Sequence, residues 1–294
     1  MGNTPRPHKL AVPMLTRNTD ISMLNRCPAS WILDLFFEHD QMDASYFVVG
    51  SACHLAFESV AVQDFDFDQA TTVAWQYISD ARSRWHDEET AVIETARRSR
   101  RCMEEDAVRI IGKWFQDVHP DSDKRFPIYD EFEWPFKSEV PIYRTAEEAG
   151  TKYDIWGSMD AVFTPKGIGA KTALVDWKTG ATPKSDPDQL YFYLYTADRN
   201  RDTRLWFHHA DGLKHHGKIQ HADAYPGDEA VRTRIQAAEW QKDSEFWPAN
   251  AGWYCTYCAV QEHCPLIGDE QQEDLTRMLQ WRTPMTQPYQ KESD

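Results

Sequence analysis

Apolar positions recur with helical spacing from about residue 20 to residue 118, interrupted at Asp64-Phe65-Asp66-Phe67-Asp68. From about 126 to 180 the pattern predicts strands, with Gly150, Gly167 and Gly169 at the turns. A helix is expected from Pro187 to Asp198, then strands at Arg204–His209 and Leu213–Gln220, and a helix over about 227–243. A cysteine-rich segment, a short helix and a polar tail complete the order. This succession gives an α/β fold, with a mixed central sheet flanked by helices and a helical N-terminal lobe. The corresponding division is an arm at 1–18, one domain at 19–282 and a tail at 283–294. Within the domain, 19–120 form the helical lobe, 121–222 the core, and 223–282 the last helix and cysteines.

The segment Lys171-Thr172-Ala173-Leu174-Val175-Asp176-Trp177-Lys178 reads as a strand, on which side chains alternate between faces. Leu174, Asp176 and Lys178 then share one face, and Ala173, Val175 and Trp177 the other. An ordinary surface ion pair would give the same short pattern. Company changes the reading, because Gly157-Ser158-Met159-Asp160 precedes the strand and Gln189-Leu190-Tyr191-Phe192-Tyr193 follows it. Two acids and a lysine in strand-like surroundings are the parts that metal-dependent phosphodiester cleavage requires. The acids hold a divalent cation, and the lysine places positive charge where charge develops on phosphate. Gln189 has a second explanation: Asp186-Pro187-Asp188-Gln189 has the form of a capping box, with proline at the first helical position. Tyr193 lies one turn later, where a core aromatic is the default.

These motifs, Gly-x-x-Asp, Asp-x-Lys-Thr-Gly and Gln-x-x-x-Tyr, resemble the RecB-like branch of the PD-(D/E)XK nuclease superfamily. Within that branch the resemblance is to CRISPR-adaptation Cas exonucleases and to the AddB and RecB nuclease domains. It implies a restriction-endonuclease-like core in which Asp160 and Asp176 are the acids and Lys178 is the lysine. Asp176 departs from the glutamate of many members. Gln189 and Tyr193 would orient the DNA strand. Gly50-Ser51-Ala52-Cys53-His54, in a helix entered through Gly50, resembles the motif before the family's core. The resemblance makes His54 a third metal ligand, alongside Asp160, Asp176 and the Trp177 carbonyl, with Glu58 as its partner. A packed core histidine is the plainer reading. Glu139 stands where the family has an acid on the preceding strand, with Glu131 and Glu133 as competitors.

Three of six cysteines crowd into Cys255-Thr256-Tyr257-Cys258-Ala259-Val260-Gln261-Glu262-His263-Cys264. A four-thiolate site lacks one ligand there, and Cys27 is the best candidate. One cysteine near the N-terminus and three near the C-terminus resemble the iron–sulfur staple of the Cas exonucleases and AddB proteins. The resemblance implies a 4Fe-4S cluster on Cys27, Cys255, Cys258 and Cys264. Zinc held by the three local cysteines and His263 is the competing arrangement. Cys53 and Cys102 have no partners by spacing.

A chain of 294 residues with 41% apolar content can bury a substantial core. It contains no membrane-length apolar run and no signal-like N-terminus, which predicts a reducing, cytoplasmic compartment and makes a disulfide unexpected. The net charge of −15 argues against broad coating of duplex DNA. Arg97-Arg98-Ser99-Arg100-Arg101 could line a DNA channel, or simply pair with Glu94, Glu104 and Glu105 on a solvated helix. The expected activity is a Mg2+- or Mn2+-dependent exonuclease acting on single-stranded or end-bearing DNA in recombination, repair, phage replication or CRISPR adaptation. The alternatives are a non-catalytic iron–sulfur scaffold that binds DNA ends, and a structure-specific or sequence-specific endonuclease.

Overall fold

The computed structural model describes residues 18–36, 45–86, 100–148, 151–180, 187–197, 203–210, 219–221, 226–243 and 247–252, with 255, 258, 260, 264 and 266. The N-terminal arm, the polar tail and the expected short helix before it lie outside these residues. The chain divides into two compact units. One comprises Met1–Asp40, Thr145–Ile155 and Arg232–Asp294, and the other Gln41–Arg144 and Trp156–Val231.

The second unit holds α3 (Ser45–Gln63), α4 (Phe67–His86) and α5 (Arg100–Val118), which pack on one face of the sheet. The strands are β1 (Lys137–Glu148), β2 (Thr151–Phe163), β3 (Ala173–Lys178), β4 (Arg204–His209) and β5 (Ile219–His221), in spatial order β1-β2-β3-β4-β5. β2 and β3 are antiparallel, with Ala161 opposite Val175. β3 and β4 run parallel, with Trp177 opposite His208. A parallel pair needs a crossover, and α6 (Asp188–Thr196) lies in that connection. The sheet is therefore mixed and helix-flanked, as its sequence order predicts. The other unit contains α1 (Asn18–Arg26), α2 (Pro28–Phe36), residues 145–148 of β1 and 151–155 of β2, and α7 (Asp228–Asp243), of which residues 228–231 fall in the second unit.

The core explains why β3 is held firmly. Ala173, Val175 and Trp177 join one buried cluster with Ala52, Ala56 and Phe57 of α3 and Trp114 of α5. Phe57 stacks on Trp114 with ring centroids 4.4 Å apart, and Trp177 meets Trp114 edge-on at 5.7 Å. Small residues on α3 let that helix approach closely. At Gly50 an added Cβ would meet Thr179 Oγ1, just beyond β3, at 3.2 Å. Gly50 thus lies inside α3 rather than at its entrance, because the apolar run from Tyr46 to Val49 extends the helix back to Ser45.

Behind β3, a buried polar chain fixes β4. Tyr129 Oη donates to His208 Nδ1 at 2.7 Å, and His208 Nε2 lies 3.4 Å from Asp117 Oδ2, with Lys113 paired to the same carboxylate. Burial lowers the His208 pKa and keeps the ring neutral.

Asp64, with φ of 56°, ends α3. Asp66 and Gln69 then form a reciprocal capping box, Gln69 N–H to Asp66 Oδ1 at 2.8 Å and Asp66 N–H to Gln69 Oε1 at 3.0 Å. The Gln189 amide bonds Lys178 and Tyr193, and the alternative box at Asp186–Gln189 falls partly outside the described residues. Pro187 occupies the N-cap itself, without a side-chain cap, and Asp186 lies outside the described residues. The strand expected at Leu213–Gln220 is described as Ile219–His221, with 211–218 outside. Asp66→Ala should cost about 1 kcal/mol of stability, measured by urea unfolding, as loss of a helix cap does.

Candidate active site

The residues singled out along the sequence converge at one end of β3. Asp160 on β2 accepts the Trp177 backbone N–H at Oδ2, 2.8 Å away, which ties the first acid to the strand carrying the second. His54 reaches the same place from α3, one turn after Gly50. Its Nδ1 lies 3.7 Å from Asp160 Oδ2 and 4.0 Å from Glu139 Oε1. Ligand atoms of His54, Glu139 and Asp160 all lie within 4.8 Å of one another. These separations exceed hydrogen-bond length. Two ligands of one Mg2+ at about 2.1 Å can be up to about 4.2 Å apart, and both separations from His54 fall inside that limit, so the group could hold a cation.

Glu139 is thereby selected from three competing acids. Glu131 pairs with Arg204 at 2.7 Å, and Glu133 uses its backbone N–H to bond Thr164 O at 2.8 Å. Glu139 has φ of 46°, a left-handed conformation uncommon for glutamate. Ser158 Oγ donates to its Oε2 at 2.8 Å. Sequence reading passed over Ser158, although its position two residues before Asp160 was a usable signal. Glu58, with His54 and Glu139, lines an open cleft of about 550 Å³ that also includes Gly50, Leu55 and Thr179.

Asp176 is buried and stands outside the three-residue group, ion-paired with Lys178. Lys178 Nζ also donates to Gln189 Oε1 at 3.0 Å, and Gln189 Nε2 donates to Tyr193 Oη at 2.7 Å. The chain Asp176–Lys178–Gln189–Tyr193 links β3 to α6, and Lys178 lies over the Phe207 ring at 5.1 Å. The Gln189 amide is thus committed to the lysine and the tyrosine.

The electrostatics describe a site short of positive charge. Burial, and then Asp176, hold the Asp160 carboxyl well above the usual carboxylate range. Lys178 and the Trp177 N–H pull it down, while Glu139 pushes it further up. Burial lowers the His54 pKa against the opposing pull of Asp176 and Glu139, so its imidazole is neutral at pH 7 and has a lone pair to offer. Burial, then Asp176 and Asp160, raise the Tyr193 phenol. A neutral imidazole and crowded carboxylates are the donor set of a hard divalent cation.

Four of the six cysteines, Cys27, Cys255, Cys258 and Cys264, belong to the other unit. Cys27 is buried between α1 and α2, where Asn250 Nδ2 donates to Arg26 O at 3.0 Å and Ala29 N–H to Pro248 O at 3.2 Å. Cys258 Sγ is 3.8 Å from Ser30 Oγ, and its N–H donates to Cys255 O at 3.2 Å. Burial pushes the Cys264 thiol up, a backbone hydrogen bond at Leu266 opposes it, and Cys27, Cys258 and Cys255 push the same way as burial. All six cysteines are free thiols. His263 is outside the described residues. In the basic run, Arg100 and Arg101 pair with Glu104 and Glu105 at 2.7 and 2.8 Å, whereas Arg97 and Arg98 lie outside.

A mixed, helix-flanked sheet thus carries clustered carboxylates, a lysine and a histidine at a strand end, a group that could hold a metal ion. The family comparison agrees: residues 18–265 match the PD-(D/E)XK nuclease superfamily, and the chain belongs to it. Members of this superfamily are nucleases that typically use divalent metals such as Mg2+. No curated protein matches the chain. Among solved structures, "Crystal structure of SSO0001" aligns at 25% identity with a TM-score of 0.33, over 45% of this chain and 61% of the other. This chain therefore spans less than two thirds of that structure's length.

The raised Asp160 value has a consequence for stability. Its contribution to the metal-free fold is complete below the ordinary value near 3.8 and is lost as pH rises through the raised folded value. Asp160→Asn should therefore flatten the decline of metal-free Tm with rising pH. Mn2+ should stabilise the wild type increasingly as pH rises and leave the variant little changed. Superimposable Tm–pH curves for the two proteins would contradict this assignment of charge.

Proposed function

We propose that the chain is a Mg2+- or Mn2+-dependent DNA exonuclease of RecB-like type, acting on single-stranded or end-bearing DNA. The observation that carries this reading is the convergence of His54, Glu139 and Asp160 beside the Asp176–Lys178 pair. His54, Asp160 and Asp176, with the Trp177 carbonyl, would hold the cation, joined by Glu139. A bound divalent cation would polarise a phosphate oxygen and lower the pKa of water. A cation held by Asp176 would leave Lys178 free to turn toward the scissile phosphate and to position the attacking water or, in its neutral amine form, to accept a proton from it. Gln189 and Tyr193 hold that lysine and orient the strand.

In this reading residues 19–282 act as one nuclease domain in the cytoplasm. Among the described residues no helix is long and apolar enough to cross a membrane. Cys27, Cys255, Cys258 and Cys264 would hold a 4Fe-4S cluster. The mutual influence of their thiols on Cys264 supports the grouping, because thiols crowded together would gain from a shared metal. Recombination, repair, phage replication and CRISPR adaptation all supply the end-bearing DNA such an enzyme would take. The Asp160, Asp176 and Lys178 set, together with its cation-ready geometry, favours catalysis over a scaffold role.

Asp160→Ala or Asp176→Ala should abolish Mn2+-dependent cleavage, and Lys178→Ala should slow it by about 10²-fold or more. The assay uses end-labelled single- and double-stranded DNA with closed circles alongside. Cut circles would indicate an endonuclease, and inert protein on every substrate a scaffold.

Protein purified anaerobically should be brown and contain roughly four irons per chain. Cys27→Ala should lose that colour as completely as Cys258→Ala. A colourless zinc protein sensitive to His263→Ala and indifferent to Cys27→Ala would replace the cluster with a local zinc site.

A further inference from the structure

We propose that the cleft beside the metal group is a subsite for a hydroxyl-ended terminal nucleotide, in which Glu58 of α3 accepts the terminal hydroxyl and turns a terminal phosphate away. The inference rests on the nuclease reading and names which strand ends that site takes.

One wall of the cleft is a single face of α3. Ser51, His54, Leu55 and Glu58 stand at i, i+3, i+4 and i+7, positions that a helix gathers into one stripe. Ala52, Cys53, Ala56 and Phe57, interleaved with them in sequence, are fully buried in the core, so the stripe is turned away from it. All four residues of the stripe line the cleft, together with Tyr77 of α4 and Glu139 of β1. Its volume of about 550 Å³ falls within the range of roughly 300–1,000 Å³ typical of small-ligand sites, which admits a nucleotide. Leu55 is 36% exposed and, with Tyr77, offers an apolar surface to a base or a sugar.

Charge polarises this cleft. At one end His54 and Glu139 belong to the group that could hold a cation, where the scissile phosphate would sit. Glu58 stands outside that group, one turn further along α3, a rise of about 6 Å. That is about the length of one nucleotide of extended strand, so the group one nucleotide from the scissile phosphate meets a carboxylate. Among the described residues, the cleft lining carries no lysine or arginine to offset it. A phosphate there would set like charges together, whereas a terminal hydroxyl would donate a hydrogen bond to the Glu58 carboxylate. A continuous strand also carries a phosphate at that point. The carboxylate that favours a hydroxyl end therefore disfavours an internal segment.

The test is isothermal titration calorimetry in Ca2+ with three (dT)6 strands: one with hydroxyls at both ends, one with a 5′-phosphate and one with a 3′-phosphate. In the wild type one of the two phosphates should weaken binding by about 10- to 100-fold, and which one it is names the end that is read. Glu58→Gln should bring that ratio to within about twofold of unity, because an amide carries no charge, and Glu58→Lys should reverse it. The wild-type ratio should also shrink as salt rises from about 0.05 M to about 0.5 M. Each ratio is taken within one protein, so a general loss of stability does not move it. Equal wild-type affinity for all three strands, no binding of any of them, or a ratio that both variants leave unchanged would overturn the proposal. Mn2+-dependent cleavage by the wild type is scored separately. Cleavage with an unchanged ratio removes the end-reading role alone, whereas the expected ratios without cleavage remove the nuclease reading and leave a site for hydroxyl-ended strands.

Discussion

Trp177 is the residue on which the site depends. Its ring is locked among Phe57, Trp114, Phe136 and Phe163, each within about 6 Å centroid to centroid. Its backbone N–H holds Asp160. Its neighbours on either side, Asp176 and Lys178, point to the other face of the strand. Aromatic pairs contribute about 0.5–1.5 kcal/mol each beyond simple burial, so several of them fix β3 far more tightly than the exposed ion pairs on α5 fix anything. Phe57 lies three residues after His54 on α3, so the same packing that immobilises β3 also delivers the histidine.

The second constraint is electrostatic. A hydrogen bond to a charged group contributes about 1.5–3 kcal/mol, whereas burying a carboxylate costs several kcal/mol. The Trp177 N–H therefore cannot by itself keep Asp160 ionised beside Asp176 and Glu139, and the raised Asp160 value reflects that deficit. Lys178 is already paired with Asp176 and shared with Gln189. A divalent cation would meet the deficit, and in the proposed reading would leave the lysine available to phosphate.

Much of this was legible in the residues. The alternation at Ala173–Lys178 placed Trp177 opposite Asp176, and the buried cluster contains Ala173, Val175 and Trp177 together. The strand at Arg204–His209 and the helix near 227–243 were equally plain, because both carry strong local patterns. Glu139 was harder to choose, because three acids alternate near the start of β1 and only tertiary pairing separates them. Gln189 had two local explanations of similar form, and its bond to Lys178, eleven residues away, left no local pattern to read. The start of α3 was misplaced at Gly50 because a glycine that permits close approach to Thr179 looks, in one dimension, like a helix boundary. The Tyr129–His208–Asp117 chain joins residues up to 91 apart and left no local pattern to read.

The central claim is that His54 and the carboxylates beside it share one divalent cation. Electron paramagnetic resonance of Mn2+ bound to the 14N and 15N-histidine-labelled protein tests it most directly. A nitrogen hyperfine coupling that changes with the label, and disappears in His54→Gln while some Mn2+ still binds, is the expected result. Mn2+ bound with no nitrogen coupling in the wild type, or a coupling that persists in His54→Gln, would contradict it.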